Sequence, residues 1–367
     1  MALVQSPSIV TNGLAFYYDM SNTQKSWKGA PTENLVSLAG SDSAIQRSGT
    51  AYPFYNVGLT SLIQSRWTAS NNVLSMSFEG RRNLVNGGTG DGGDGYPVAY
   101  VYFTDWSWAA AVGISTYDWS YTTQTFTMPN PAGKGINFDV YHMNAGNPGL
   151  SFSRNHQVEF GSRSTPFVNG TRTNTQAITD LVGNNTVTVN SLTYASDGTF
   201  SFNGSTNHII TTNTGMSHGT GNFTYSCWAN FAGLPVVGTF FENGFYTNGI
   251  LIRFETNIIR IYAQYSATTY TNAFSFIPTI GQWYHLVITR VGDNLLLYSN
   301  GILLSTITFG SNINVVPSNN LMFIGMSQHQ AGQCFNGQIA SAQVYNRALS
   351  AAEVQQNFNA QRGRYSI

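Results

Sequence analysis

The chain has 367 residues, only 9% of them charged, and its 16 Lys and Arg balance 16 Asp and Glu to a formal net charge of zero. That balance excludes the basic field a nucleic-acid binder needs to displace counterions from phosphates. The length suits two domains with separate cores, and so few charges leave the surface to Ser, Thr, Asn, Gln and Gly, with some of the 20 Tyr and 23 Phe partly exposed.

Met1–Gly13 (MALVQSPSIVTNG) lacks a basic start and a sustained apolar stretch, so no secretory signal is expected. No apolar run approaches the length of a membrane span, so no membrane insertion is expected either. Ile9–Asp19 (IVTNGLAFYYD) reads as an opening strand. Val98–Phe103, Ser120–Met128, Ile136–His142 and Gln157–Phe160 then alternate apolar with polar residues between Gly, Asn and Pro. That period belongs to half-buried strands, and no segment between them has a helical one. Further on come Asp180-Leu-Val-Gly-Asn-Asn185 and Ser201-Phe-Asn-Gly-Ser-Thr-Asn-His-Ile209. Leu295–Tyr298 and Ile302–Leu304 are apolar runs joined at Asn300-Gly301, the pair best able to take φ > 0 twice, as a type I′ hairpin turn requires. Ser350-Ala-Ala-Glu353 is a capping box, with Leu349 and Val354 placed as a hydrophobic staple and Phe358 continuing the helical face. No internal repeat stands out.

The stretch from GQWYHLVITR through the NG hairpin to FNGQIASAQVYNRALSAAEV closely resembles the end of a concanavalin A-like, laminin-G-type jelly roll. Ile9–Asp19 resembles the strand that opens the same domain. In that family the opening strand leads quickly to the D-L-x-G-N-N turn and the S-F-x-G-S strand. Here roughly 140 residues intervene, too many for a loop and about right for a domain. The resemblance therefore implies an all-β chain of two jelly-roll β-sandwiches with a short C-terminal helix. One sandwich is discontinuous (residues 1–29 plus 173–367), and residues 30–172 form a second sandwich inserted into it. Insertion at a surface loop is cheap because its ends already lie close together. The tail of the insert, Gln157-Val-Glu-Phe…Thr165-Pro-Phe-Val-Asn-Gly-Thr-Arg172, resembles the close of carbohydrate-binding-module-like jelly rolls in tailed-phage structural proteins, and Pro31…Asn34-Leu-Val is compatible with the start of one.

Chemistry is sparse. Glycan hydrolases on this fold carry paired carboxylates, typically as E-x-D-x-x-E along one strand, and no such spacing occurs; Glu242, Glu255 and Glu353 stand alone. The six histidines form no zinc-like spacing, and neither a nucleophile elbow nor a P-loop is present. A non-enzyme without cofactors is expected. Asn86–Gly95 (NGGTGDGGDG) offers two carboxylates that calcium could use, but a calcium-binding β-roll needs stacked repeats and this occurs once, so a hairpin loop is the preferred reading. In the family's F-D-G-S-x-D stretch the acids are replaced by Asn203 and Asn207, which argues against a metal there. Cys227 and Cys334 could be bridged if their strands are neighbours; two buried free thiols are the expected arrangement.

Glycan binding is the positive expectation. Sugars stack their C–H faces on Trp and Tyr and give their hydroxyls to amides and carboxylates. Trp106, Trp108, Tyr117 and Trp119 are the candidate carbohydrate-binding residues; at i and i+2, Trp106 and Trp108 would share one face of a strand. The competing reading is that this face is the insert's own core. Together with the phage resemblance, this points to a virion component, either a capsid decoration or a fibre/adhesin subunit, with glycans and other virion proteins as partners and a homo-oligomeric state. Low net charge, with its weak colloidal repulsion, suits such an assembly. A glycan-degrading enzyme and a purely architectural virion protein are the rival classes.

Overall fold

The computed structural model describes residues 8–22, 25–29, 32–36, 45–48, 55–82, 96–143, 150–161, 164–165, 167–169, 171–194, 199–234, 237–265, 268–310, 313–329 and 332–367. The chain is all-β and divides into two compact units, Met1–Ala30 with Asn174–Ile367, and Pro31–Thr173. The loop Asn86–Gly95 weighed for calcium lies outside the described residues.

The first unit is a sandwich of two antiparallel sheets. One sheet orders its strands Thr193–Tyr194, Phe200–Asn203, Asn336–Tyr345, Phe223–Phe231, Trp283–Val291, Asn294–Ser299 and Ile302–Thr308. The other orders Val187–Asn190, His208–Thr212, Leu321–Ile324, Val237–Asn243, Ile250–Glu255, Ile258–Tyr265 and Thr268–Ser275. Side chains from both inner faces interdigitate in one core, with Tyr225, Phe231 and Ile288 from the first sheet meeting Phe241, Ile252 and Ile261 from the second. That core supplies the main driving force of the unit.

Leu14–Asp19 joins this unit by pairing antiparallel with Asn336–Tyr345, Tyr17 opposite Gln343 and Asp19 opposite Ser341. Its five residues from Ala15 on are all buried, so it shows no alternation. Asp180 fixes it from the other side: the carboxylate accepts from the backbone N–H groups of Tyr17 (3.0 Å), Val182 (3.1 Å), Asn184 (3.2 Å) and Asn185 (3.1 Å). Leu181 N–H donates to Tyr17 C=O at 2.7 Å, and the Asn185 amide to Ala15 C=O at 3.2 Å. The Asp-Leu-Val-Gly-Asn-Asn turn is thus a clamp on a strand 163 residues away in sequence.

The hairpin forms on Asn300-Gly301 with φ of 51° and 81°, and Ser299 faces Ile302 across it. The C-terminal helix Ala351–Gln361 carries the full capping box, Ser350 Oγ accepting from Glu353 N–H and Ser350 N–H donating to Glu353 Oε2. Arg347 adds an ion pair to Glu353 at 2.7 Å; that bond, with burial opposing and the Ser350 donors assisting, holds the Glu353 carboxyl at about 2. Leu349 and Val354 pack with Val10, Val287 and Tyr345 beneath the helix. Trp228 is stacked between His285 and Tyr365, with its indole N–H on Gln361.

The second unit packs two four-stranded antiparallel sheets. One orders Ile45–Ser48, Leu150–Phe160, Val73–Arg82 and Ser120–Thr127; the other orders Tyr55–Gly58, Ile136–Met143, Tyr96–Phe103 and Ala109–Gly113. Leu74, Met76 and Phe78 from the first meet Ala99, Val101, Phe103, Phe138 and Val140 from the second. Thr32–Glu33 pairs with Thr171–Arg172, so this unit begins and ends on adjacent strands. Among the described residues no helix is long and apolar enough to cross a membrane.

Candidate functional site

In the second unit, alternation decides which side chains face solvent. Along Tyr96–Phe103 the odd positions Ala99, Val101 and Phe103 enter the core, which leaves Tyr100 and Tyr102 on the outer face. Along Ile136–Met143 the even positions Ile136, Phe138 and Val140 are core, leaving Asn137, Asp139 and Tyr141 outside. The register sets Tyr100 opposite Asp139 and Tyr102 opposite Asn137, with Asn56 on the far side of Asp139.

Asp139 is 1% exposed and sits at the centre of this face. It accepts from Tyr102 Oη at 2.7 Å, Tyr141 Oη at 3.1 Å and Asn56 Nδ2 at 2.7 Å. Burial, followed by the bond to Asp139, raises the Tyr102 phenol; burial and the Asp139 charge raise that of Tyr141. Both phenols therefore stay protonated as donors. The rings frame the carboxylate, with Tyr100 edge-on to Tyr141 at 5.4 Å and Trp106 stacked on Tyr102 at 4.3 Å and 17°.

Trp106 reaches this place from a turn between Tyr96–Phe103 and Ala109–Gly113. Its backbone is left-handed at φ 57°, a conformation that costs a non-glycine residue on the order of 1 kcal/mol. Asp105 braces the turn through Ser107 and an ion pair to Lys134 at 2.5 Å, and these bonds hold its carboxyl well below the usual range. The indole covers Tyr102, which is 7% exposed, while remaining 56% exposed itself. The result is an open ring surface beside a satisfied carboxylate and amides, the combination that saccharides dock on.

The candidate residues do not converge. Trp106 and Trp108 do not share a face, because they lie in a turn and not in a strand. The left-handed step at Trp106 sends its indole outward, and Trp108 packs inward at 5.4 Å from both Phe103 and Phe126. Tyr117 lies in the bend before Trp119 and is exposed. Trp119 is near the other sheet, with Arg154 over its ring at 4.2 Å. Tyr100, Tyr102, Asp139 and Tyr141 were missed, although Y-x-Y and N-x-D-x-Y at period two already put each set on one strand face.

Glu242, fully buried, accepts from Ser327 Oγ at 2.6 Å and Gln328 N–H at 2.9 Å, with His329 Nε2 at 3.7 Å. Burial raises its carboxyl despite these donors. Glu255 is held by Arg253, Arg260 and Tyr262. Leu251 lies opposite Glu242, and Glu255 is four residues farther along that strand, which at ~3.3 Å per residue separates the two backbones by about 13 Å. A glycosidase pair needs roughly 5–9.5 Å between carboxyl groups. Cys227 and Cys334 are buried free thiols. Among the described residues, no three His, Cys, Asp or Glu gather as a metal site.

Residues 202–355 match the family described as the concanavalin A-like lectin/glucanases superfamily. That match falls entirely within the first unit, on the strands, hairpin and capped helix described above. No curated protein matches the chain. Among solved structures, the binding domain of botulinum neurotoxin DC in complex with rat synaptotagmin II is 19% identical, covers 51% of this chain and 50% of its own, and has a TM-score of 0.42. The botulinum neurotoxin serotype G binding domain is 19% identical over 51% of this chain and 49% of its own, with a TM-score of 0.43. The serotype D binding domain is 16% identical at the same coverage, with a TM-score of 0.42. The chain spans about half the length of the structures it matches.

Proposed function

We propose that this chain is a non-catalytic glycan-binding component of a tailed-phage particle and that Trp106 is the centre of its saccharide surface. The observation that carries the glycan reading is the exposed Trp106 ring, stacked on Tyr102 beside the tyrosine-framed Asp139. A sugar's C–H face would lie on the indole, and its hydroxyls would reach Asn137 and the outer edge of the Tyr141–Asp139 network. The virion reading is supported by the resemblance of Gln157–Arg172 to the close of carbohydrate-binding-module-like jelly rolls in tailed-phage structural proteins. Docking to other virion proteins or to further copies of the chain is supported by the edge strand Ile302–Thr308. There Ile302, Leu303 and Leu304 are 65, 46 and 49% exposed and no charge blocks pairing.

Glycan-array screening of the whole chain, followed by titration of the best neutral hit, tests the binding half. Trp106→Ala is expected to weaken that hit at least about tenfold, the equivalent of ~1.4 kcal/mol, while the chain stays folded. Unchanged affinity in that variant removes the assignment. The virion half is tested by labelling purified phage with antibodies to the chain: decorated particles are expected, and bare ones refute it.

A further inference from the structure

We propose that the outer face of the other sheet in the second unit carries a separate site for acidic sugars, with Arg81 as the anion-binding group. Register builds it in two rows. Phe152 lies opposite Arg81, and Trp119 directly precedes Ser120, which pairs with the neighbouring Gly80; in the next row Arg154 lies opposite Glu79, and Glu79 opposite Tyr121. One row thus reads ring, guanidinium, ring and the next guanidinium, carboxylate, ring.

The Arg81 guanidinium carbon is 4.1 Å from the Phe152 ring centroid and 5.6 Å from that of Trp119, while Arg154 covers Trp119 at 4.2 Å. Stacking holds a guanidinium by its faces and leaves its in-plane N–H donors to meet a planar or tetrahedral oxyanion. The two arginines differ in what they have left to give. Arg154 is committed to Glu79 at 2.7 Å. Arg81 has no carboxylate partner among the described residues, and its buried Nε has no acceptor. Among the described side chains of these two rows, one carboxylate, Glu79, stands against two guanidiniums and is already paired with Arg154.

Size and surroundings select the ligand class. Two guanidiniums on one face are too few to track a nucleic-acid backbone, whose affinity rests on many phosphate contacts. A single oxyanion on a ring fits better. Trp119, 36% exposed, lies beside Arg81, and Tyr121, 54% exposed, stands opposite Glu79 in the next row; both offer apolar surface for that ring. The chemistry is a carboxylate or sulfate carried by a sugar, and the site stands independently of the Trp106 surface on the other sheet.

Calorimetric titration of the whole chain with a galacturonate trisaccharide, a sulfated galactose oligosaccharide free of uronate and a neutral galactose trisaccharide tests the assignment, with the first two distinguishing carboxylate from sulfate. At least one acidic ligand is expected to bind ten times or more tighter than the neutral one, weakening as salt rises. Arg81→Gln is expected to lose that binding at least tenfold, and Trp106→Ala to keep it. Arg81→Lys, which retains charge without the planar fork, is expected to weaken it severalfold and decides the matter should Arg81→Gln misfold. Equal affinity for acidic and neutral sugars, no binding of either acid, or unaltered binding in both Arg81 variants overturns the proposal.

Discussion

Acidification from pH 7 to pH 4 is expected to unfold the first unit. Two of its histidines, His218 and His285, lie in the interior, and burial pushes each imidazole down to about 3, with Arg290 adding to the effect at His218. Their neutral forms are the folded ones: His218 Nε2 meets Tyr225 Oη at 3.0 Å and His285 Nε2 meets Ser226 Oγ at 2.9 Å. Because the folded values lie below the unfolded value of about 6.5, stability present above that pH is lost as pH falls toward 3. The unfolded chain takes up two protons there that the folded unit refuses. Over that drop the pair costs on the order of 6 kcal/mol, comparable with the whole stability of many domains. Depressed Glu353 acts in the same direction below pH 4.5, and Glu242, raised by burial, acts against it. The check is urea unfolding at half-unit pH steps, followed by tyrosine and tryptophan fluorescence. His285→Gln should roughly halve the slope of stability on pH even though it starts less stable. A slope identical to that of the parent would show that these imidazoles are not the acid trigger.

Asp180→Ala is expected to cost about 3–5 kcal/mol. Four backbone N–H groups lose their acceptor at once, and that of Tyr17 is buried where water does not replace it. The loss reaches beyond the turn, because Tyr17 belongs to the strand that Asp180 clamps against Asn336–Tyr345. Asp180→Asn keeps one carbonyl oxygen and should lose roughly half as much. The urea midpoint reads both. A change below about 1 kcal/mol for the alanine variant would mean that the strand is held by its sheet pairing alone.

Local chemistry was readable where a motif forces one geometry. Asn300-Gly301 takes the two positive φ values a tight hairpin demands, and Ser350 with Glu353 closes the helix start. The pairing of Leu14–Asp19 with the C-terminal half was visible through its motif only, since a strand buried on both sides has no alternation to detect. The candidate site was half legible. The i, i+2 rule for Trp106 and Trp108 presumes extended backbone, and a left-handed residue in a turn cancels it. Tyr100, Tyr102, Asp139 and Tyr141 had the right period, but their meeting depends on the register of two strands about forty residues apart, which no local pattern encodes. Trp119 is among the sequence candidates, but its meeting with Arg81 and Phe152, from two other strands, was beyond reach for the same reason. Ile302–Leu304 is apolar yet exposed, because it lies on a sheet edge.

The most direct test of the interrupted sandwich is to replace residues 31–173 by Gly-Gly and record near-UV circular dichroism and urea unfolding of what remains. A folded, cooperatively unfolding protein with a fixed aromatic signal is the predicted result, since Leu14–Asp19, the Asp180 clamp and both sheets of the first unit all survive the deletion. A collapsed chain without a near-UV signal or a cooperative transition would contradict it.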